Sequence, residues 1–246
     1  MLELYHDWSS FCSIKVRLCL AEKDLPWESR FVDLMKLDQL KPDYLRLNPN
    51  AVVPTLVHDG RAVWESSFIN EYLDETFPET PLVPKDAFAK ARMRYWVKFE
   101  DDVLHPVIRP ASFNLMIRKA IAALPKEHVE ARLANHPNPS RAADFKAAAG
   151  RPADTKAVEE ATVRIKAAID RMDKWLAQNK WFAGESYSLA DVAAAPFIDR
   201  LEELNFVGFW EGKPGLQDWI ARIKARPAYQ KAMPETKQRL PKPDWN

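Results

Sequence analysis

Four side chains capable of polar or nucleophilic chemistry crowd one stretch near the start of the chain: Ser9, Ser10, Cys12 and Ser13. They fall where a short apolar run, Leu2 to Tyr5, gives way through a polar loop to a helix-patterned segment, Ser13 to Lys23. A serine there can cap the helix or donate to a bound group. A thiol there gains from the positive end of the helix dipole, so Cys12 reads either as a low-pKa nucleophile or as a half-buried apolar filler. Cys19 reads as core. On one helix, seven residues separate the two cysteines by about 10 Å of rise, too far for a disulfide. A second stretch with chemical potential is AVVPTLVHDGRAVWESSFIN, residues 51–70. Pro54 cannot donate to a central ladder, so it marks a strand entrance, and Val53-Pro54 is a candidate cis bond. His58-Asp59-Gly60 reads as a hairpin turn. Glu65 and Ser66 then open a helix whose free N–H groups suit a carboxylate. Together these pieces form an anion cradle.

The elements that must position these residues follow from periodicity. Trp27 to Val32 is a second strand, so the chain opens βαβ. Leu37 to Leu47 carries a short irregular helix broken at Pro42. The hairpin and a Ser66–Glu75 helix complete a small βαβ-α-ββα unit, a thioredoxin-like pattern without a Cys-x-x-Cys pair, which argues against disulfide oxidoreduction. Residues 77–84, rich in proline, read as a linker, and beyond it the chain becomes helical. Helices are expected over Ala87–Val103, ended or kinked by Pro106 and Pro110, then over Phe113–Leu124, Ala157–Asn179, Leu189–Leu204 and Leu216–Ala225. Ser188-Leu-Ala-Asp191 has capping-box spacing, a folding signal rather than a chemical one. The segment from Pro125 to Ala157 is longer than the usual helix–helix connection, and such excursions are often functional or mobile. The fold class is therefore a thioredoxin-like N-terminal domain (residues 1–77), a linker (78–87) and an all-helical C-terminal domain (88–246).

Composition narrows the function classes. Lys and Arg number 36 against 35 Asp and Glu, a net charge of +1, so no electrostatic case exists for nucleic acid or an anionic membrane. No apolar stretch reaches the length of a membrane span and no signal-peptide pattern opens the sequence, so the expected location is cytoplasmic. His105, His128 and His136 lack metal-ligand spacing, and no metal site is expected. No Walker loop, GxGxxG or nucleophile elbow occurs.

The segments N-P-x-x-x-V-P-T-L (Asn48 to Leu56) and E-S-x-x-I-x-x-Y-L (Glu65 to Leu73), in that order, resemble the signature of the cytosolic glutathione transferases. The Leu4–Arg17 segment, L-Y-x-x-x-x-S-x-C-S-x-[KR]-V-R, is similar to the zeta-class pattern, with Phe11 in place of that class's second serine. The length and proline content of the 125–157 excursion are similar to those of bacterial β-etherase-type transferases. The resemblance implies glutathione as co-substrate, its thiol activated by the Ser10 hydroxyl, with Ser9, Cys12 and Ser13 as alternatives. It implies that the Val53 backbone before Pro54 pairs with the cysteinyl unit. Glu65 and Ser66 would hold the γ-glutamyl end, and Gln39 or Lys36 would meet the glycine carboxylate. A pocket for an apolar electrophile would draw on Trp8, His105, Arg109 and Phe113, with Tyr5, Trp96, Phe99, Phe206 and Phe209 as further aromatic candidates. The family also implies a homodimer, for which Trp64, Phe68, Tyr72 and residues 90–102 are interface candidates. Two rivals accompany this reading: a glutathione-dependent isomerase of the zeta type, with Arg17 and Arg109 anchoring an anionic substrate, and a non-catalytic ligand-binding protein.

Overall fold

The computed structural model describes residues 1–134, 136–148 and 152–243. Four strands, β1 (Leu2–His6), β2 (Glu28–Phe31), β3 (Thr55–His58) and β4 (Arg61–Val63), form one mixed sheet in the order β2-β1-β3-β4. β1 runs parallel to β2, as a strand–helix–strand crossover requires, and antiparallel to β3, with Tyr5 opposite Thr55. β3 and β4 are the expected Asp59-Gly60 hairpin, with Leu56 opposite Val63 and Gly60 at φ +78°. This register places three chain passages at one end of the sheet. They are the loop leaving β1, the Val53-Pro54 entrance to β3, and the exit from β4 into the next helix. The cradle is thus built by topology.

Helix α1 (Phe11–Glu22) crosses between β1 and β2 and is buried along most of its length, including Lys15 and Arg17. It packs on α3 (Ser66–Thr76) and, across the chain, on α10 (Leu189–Glu203) and α12 (Pro227–Ala232). One apolar core therefore joins the sheet unit to the helical unit. Between β2 and β3 the chain makes two 3₁₀ turns, Leu34–Lys36 and Asp38–Leu40, before α2 (Pro42–Leu47). Pro42 starts this helix instead of breaking one, because a proline in the first turn removes an N–H that has no helical partner anyway.

Pro106 and Pro110, expected to end or kink a helix, do not end it. Helical backbone continues from Ala87 to Ala122 as α4 (Ala87–Phe99), α5 (His105–Ser112) and α6 (Arg118–Ala122), joined by π turns at Glu100–Leu104 and Phe113–Ile117. Each π turn widens the ring by one residue, His105 N–H bonding the Glu100 carbonyl and Arg118 N–H that of Phe113. The π turn ends directly before Pro106, and the Asn114 side chain donates to the Pro110 carbonyl at 2.9 Å.

The 125–157 excursion, whose residues 135 and 149–151 lie outside the described set, contains α7 (Lys126–Leu133) and α8 (Pro139–Ala148). Val129, Leu133 and Ala142 join Ile121 in a second apolar cluster with Leu37, Leu40 and Ala51 of the sheet unit. His128 Nε2 contacts the Lys36 carbonyl at 3.0 Å. The long helix α9 (Thr155–Leu176) and α11 (Pro214–Lys224) complete the helical unit. The Ser188–Asp191 capping box forms at the start of α10 as expected. Asp191 also accepts from the Phe182 N–H and from Trp219 Nε1 at 2.9 Å. Burial, against these donors, still raises its carboxyl to about 6.

Candidate active site

Ser10 is the N-cap of α1, its Oγ accepting from the Ser13 N–H at 3.3 Å. That bond uses one lone pair and leaves the hydroxyl proton available for donation, so capping and thiolate binding are compatible. Its neighbours differ in their surroundings. Ser9 is buried and donates its hydroxyl to the Gln238 carbonyl at 2.8 Å. Ser13 is fully buried, its Oγ without a partner. Cys12 is half-buried with its Sγ 3.9 Å from His105 Nδ1. Burial raises its thiol pKa, against the pull of Lys15 and of a hydrogen bond with Ser66.

The Cys12–Ser66 contact shows that the starts of α1 and α3 converge. Helix α3 opens without a side-chain cap, leaving its first N–H groups for another acceptor. Glu65, just before it, sits at φ +64°, ψ 113°, a sparsely populated conformation that turns the chain from strand into helix. Ser66 is buried and Glu65 is exposed. The Val53-Pro54 bond is cis. Behind it, Tyr44 donates to the Val52 carbonyl at 2.6 Å, and the Asn48 amide donates to Val52 O and Thr55 Oγ1, each at 3.0 Å. Val53 itself makes no backbone hydrogen bond to any described residue, so an N–H and a carbonyl stand ready for an added strand.

Other candidates fall in varied surroundings. Gln39 is buried in the second 3₁₀ turn with Oε1 unpartnered, while Lys36 is exposed and paired with Asp33 at 3.0 Å. Trp8 packs edge-on against His6 and carries the Arg17 guanidinium over its ring. Arg17 is 2% exposed and bonds the carbonyls of Asp7, Trp8 and Ala232; it braces the β1–α1 loop and offers nothing to a substrate. Trp96 and Phe99 belong to the core with Phe182, and Phe206 stacks on Phe209. Tyr72 is tied to His58 at 2.7 Å, whereas Trp64, Phe68 and Tyr95 are exposed.

His105, at the start of α5, stacks on Phe11 with ring centroids 5.2 Å apart. Burial lowers its pKa to about 4; Glu100 opposes this, and the charges of Lys15, Arg109 and Arg141 add to it. The ring is neutral at physiological pH. Arg141 comes from α8, which packs against α6, and Phe145 of α8 meets Phe113 edge-on at 5.9 Å. The excursion therefore reaches Phe113 through Phe145 and lies within electrostatic range of His105 through Arg141. Behind His105 lies a buried ionic knot. The Lys15 ammonium meets Glu100, Asp101 at 3.0 Å and Ser67 Oγ at 2.9 Å, and Ser67 donates to Asp101 at 2.7 Å. Burial raises Glu100 to about 7 despite Lys15. Sequence reading missed Phe11, Ser67, Glu100, Arg141 and Phe145; only the placement of Lys15 and Glu100 in apolar-patterned helices hinted at an internal pair. A cleft of about 580 Å³ opens between Leu40, Pro42 and Leu45 and the α7 residues Ala131 and Arg132, but shares no residue with the group around Ser10. Among the described residues no three metal-binding side chains cluster, and no helix is long and apolar enough to cross a membrane.

A mixed four-stranded sheet with a cis-proline at the strand entrance, followed by a helical unit, is the architecture of a thioredoxin-like protein with an appended helical domain. Family models of the glutathione S-transferase N-terminal and C-terminal domains match residues 8–76 and 137–227. Protein LigF of Sphingobium sp. strain SYK-6 is 31% identical, covering 96% of this chain and 95% of LigF. The crystal structure of that beta-etherase superposes with a TM-score of 0.85 at 29% identity, covering 94% of this chain and 98% of the other. A tetrachloro-p-hydroquinone reductive dehalogenase of Sphingobium chlorophenolicum is also 31% identical, over 94% of this chain and 95% of its own. A probable maleylacetoacetate isomerase of Caenorhabditis elegans is 45% identical over 91 residues, 37% of this chain and 42% of its own. The chain belongs to the glutathione S-transferase family of enzymes.

Proposed function

We propose that the protein binds glutathione at the end of the sheet and directs its thiolate onto an electrophilic carbon of an apolar aromatic substrate, aryl-ether cleavage being the reaction favoured. The unengaged N–H and carbonyl of Val53, held beside cis-Pro54, carry this reading, because they are what an extended peptide needs to add as a strand. Ser66 and the uncapped start of α3 receive the γ-glutamyl carboxylate, with Glu65 facing its ammonium group. Gln39 and Lys36 serve the glycine end. The Ser10 hydroxyl donates to the sulfur, where a free thiol would be only a few per cent ionised at neutral pH. Residues 1–77 act as the glutathione-binding domain, 78–87 as the linker and 88–246 as the electrophile-binding domain. The similarity to the beta-etherase over nearly the full length of both chains supports ether cleavage. The reading includes a cytoplasmic homodimer, for which the exposed Trp64, Phe68 and Tyr95 are the interface candidates.

The zeta-type isomerase is the second reading, favoured by the 45% identity of one segment to a probable isomerase. Of its two anion anchors, Arg17 is committed to the loop and Arg109 remains. The deciding experiment is the ultraviolet difference absorbance of bound glutathione as pH is varied, for wild type and Ser10→Ala. A depressed thiol pKa that returns toward the free value in the variant supports Ser10 as donor. Binding without depression favours a ligand carrier, and no binding refutes the reading. Turnover of aryl ethers against a maleyl diketo-acid then separates transferase from isomerase.

A further inference from the structure

Accepting the transferase reading, we infer that His105 is a catalytic residue that donates a hydrogen bond to the oxygen of the bond being broken. Its ring stands at the start of α5, stacked on Phe11 and in contact with Cys12, the second residue of α1, whose thiol also reaches Ser66 at the start of α3. Among the described residues its nitrogens have no polar contact other than the Cys12 thiol, at 3.9 and 4.0 Å, which is long for a hydrogen bond and leaves N–H capacity unspent. Phe11 on one face and the backbone of α5 hold the ring plane, so the donor is pre-positioned and needs no reorganisation as charge develops. Lys15 (α1), Glu100 (the π turn), Arg109 (α5) and Arg141 (α8) are the charged groups around it; burial and the three cations keep the ring neutral against the pull of Glu100. A neutral imidazole with so low a pKa is too weak a base to take the glutathione proton, but it is a sound donor to an oxyanion.

The step balances without any further reagent. The thiolate sulfur forms a bond to the ether carbon, the carbon–oxygen bond breaks, and its electron pair leaves on oxygen. The His105 N–H hydrogen-bonds that oxygen as it becomes an aryloxide, and the departing aryloxide takes its proton from water. His105 begins and ends neutral. Because the hydrogen bond strengthens only as charge accumulates, it acts on kcat and is worth most for the least acidic leaving phenols.

The experiment uses the full-length protein with a series of aryl ethers whose leaving phenols span a range of acidity, comparing wild type, His105→Phe and His105→Asn. The Phe variant should lose on the order of 100- to 1,000-fold in kcat on the least acidic phenols. It should lose far less on the most acidic, steepening the leaving-group dependence. The Asn variant, which retains an N–H donor, should recover at least a tenth of the wild-type rate. The thiol pKa of bound glutathione should be the same in all three. A leaving-group slope unchanged in His105→Phe overturns the inference while the transferase reading stands. Wild type that depresses the thiol pKa but cleaves none of the ethers also overturns it. Wild type that fails to depress the thiol pKa defeats the transferase reading first.

Discussion

Replacing Lys15 with methionine tests the buried knot between α1 and the first π turn. Lys15 and Glu100 are both fully buried, and the three ammonium protons have three acceptors in Glu100, Asp101 and Ser67. Methionine fills similar volume but leaves Glu100, which already has one unpartnered oxygen, without its counter-charge. Asp101, whose side chain is 45% exposed, can turn to water; Glu100 cannot. Breaking one side of a buried pair costs about 3–5 kcal/mol, and that is the expected loss at pH 8. For 246 residues this is a fall in Tm of roughly 6–10 °C. The variant can shed the orphan charge by protonating Glu100, and the wild-type group does so only as pH falls through about 7. The loss should therefore shrink by about 1 kcal/mol between pH 8 and pH 7, and level off below pH 6. Urea titrations of wild type, Lys15→Met and Lys15→Met/Glu100→Leu at pH 6, 7 and 8 measure this. The double variant, with both charges gone, should recover at least half of the loss. A single-variant loss under about 1 kcal/mol, or a double variant no better than the single, would refute the reasoning.

Two further outcomes concern packing and pH. A Cβ at Gly215 would lie 2.6 Å from the Ala177 nitrogen and 2.9 Å from the Asp173 carbonyl oxygen, all rigid backbone at the end of α9. Gly215→Ala should cost about 1–3 kcal/mol, read as an earlier urea midpoint, and an unchanged midpoint would show that α11 can shift freely. His105, lowered to about 4, binds a proton in the unfolded chain below pH 6.5 but not in the folded one, so its contribution is lost as pH falls from 6.5 toward 4. His6, lowered to about 3 chiefly by burial, acts in the same direction, while the raised Glu100 and Asp191 act in the opposite one. The stability difference between wild type and His105→Asn isolates one group and should decline over that window; a difference that stays level would contradict the depressed pKa.

The parts of the fold legible in the sequence were those written in local backbone chemistry. Proline at 54, Asp-Gly at 59–60 and the Ser188–Asp191 spacing each act within a few residues, and each appears in the structure where its local signal places it. That the helix does not end at the two prolines of α5 was not legible, because a single-residue penalty says nothing of the π turns on either side or of the packing of α5 against α9 and α10. The burial of Lys15 and Glu100, and of Arg17, which reads from the sequence only as a substrate anchor, escaped notice because charged residues are almost never fully buried unless paired, and partners such as Ala232 and Glu100 lie far away in the chain. Arg141 and Phe145 could not be placed either, since nothing in the sequence of the excursion states which surface its helices cover.

The β1–α1 loop draws its bracing from the far end of the chain. Arg200 donates to the Ser9 carbonyl, Arg17 reaches the Ala232 carbonyl at 3.0 Å, and Ser9 reaches Gln238. A chain emerging from the ribosome makes its first eighty residues early, so the sheet and its hairpin can form while synthesis continues. The loop carrying Ser10, however, lacks its clasp until residue 238 has been made. A nascent chain thus cannot hold the loop in its finished geometry before the helical unit has folded behind it, and fusions that strain the 232–238 tail will be felt at the opposite terminus.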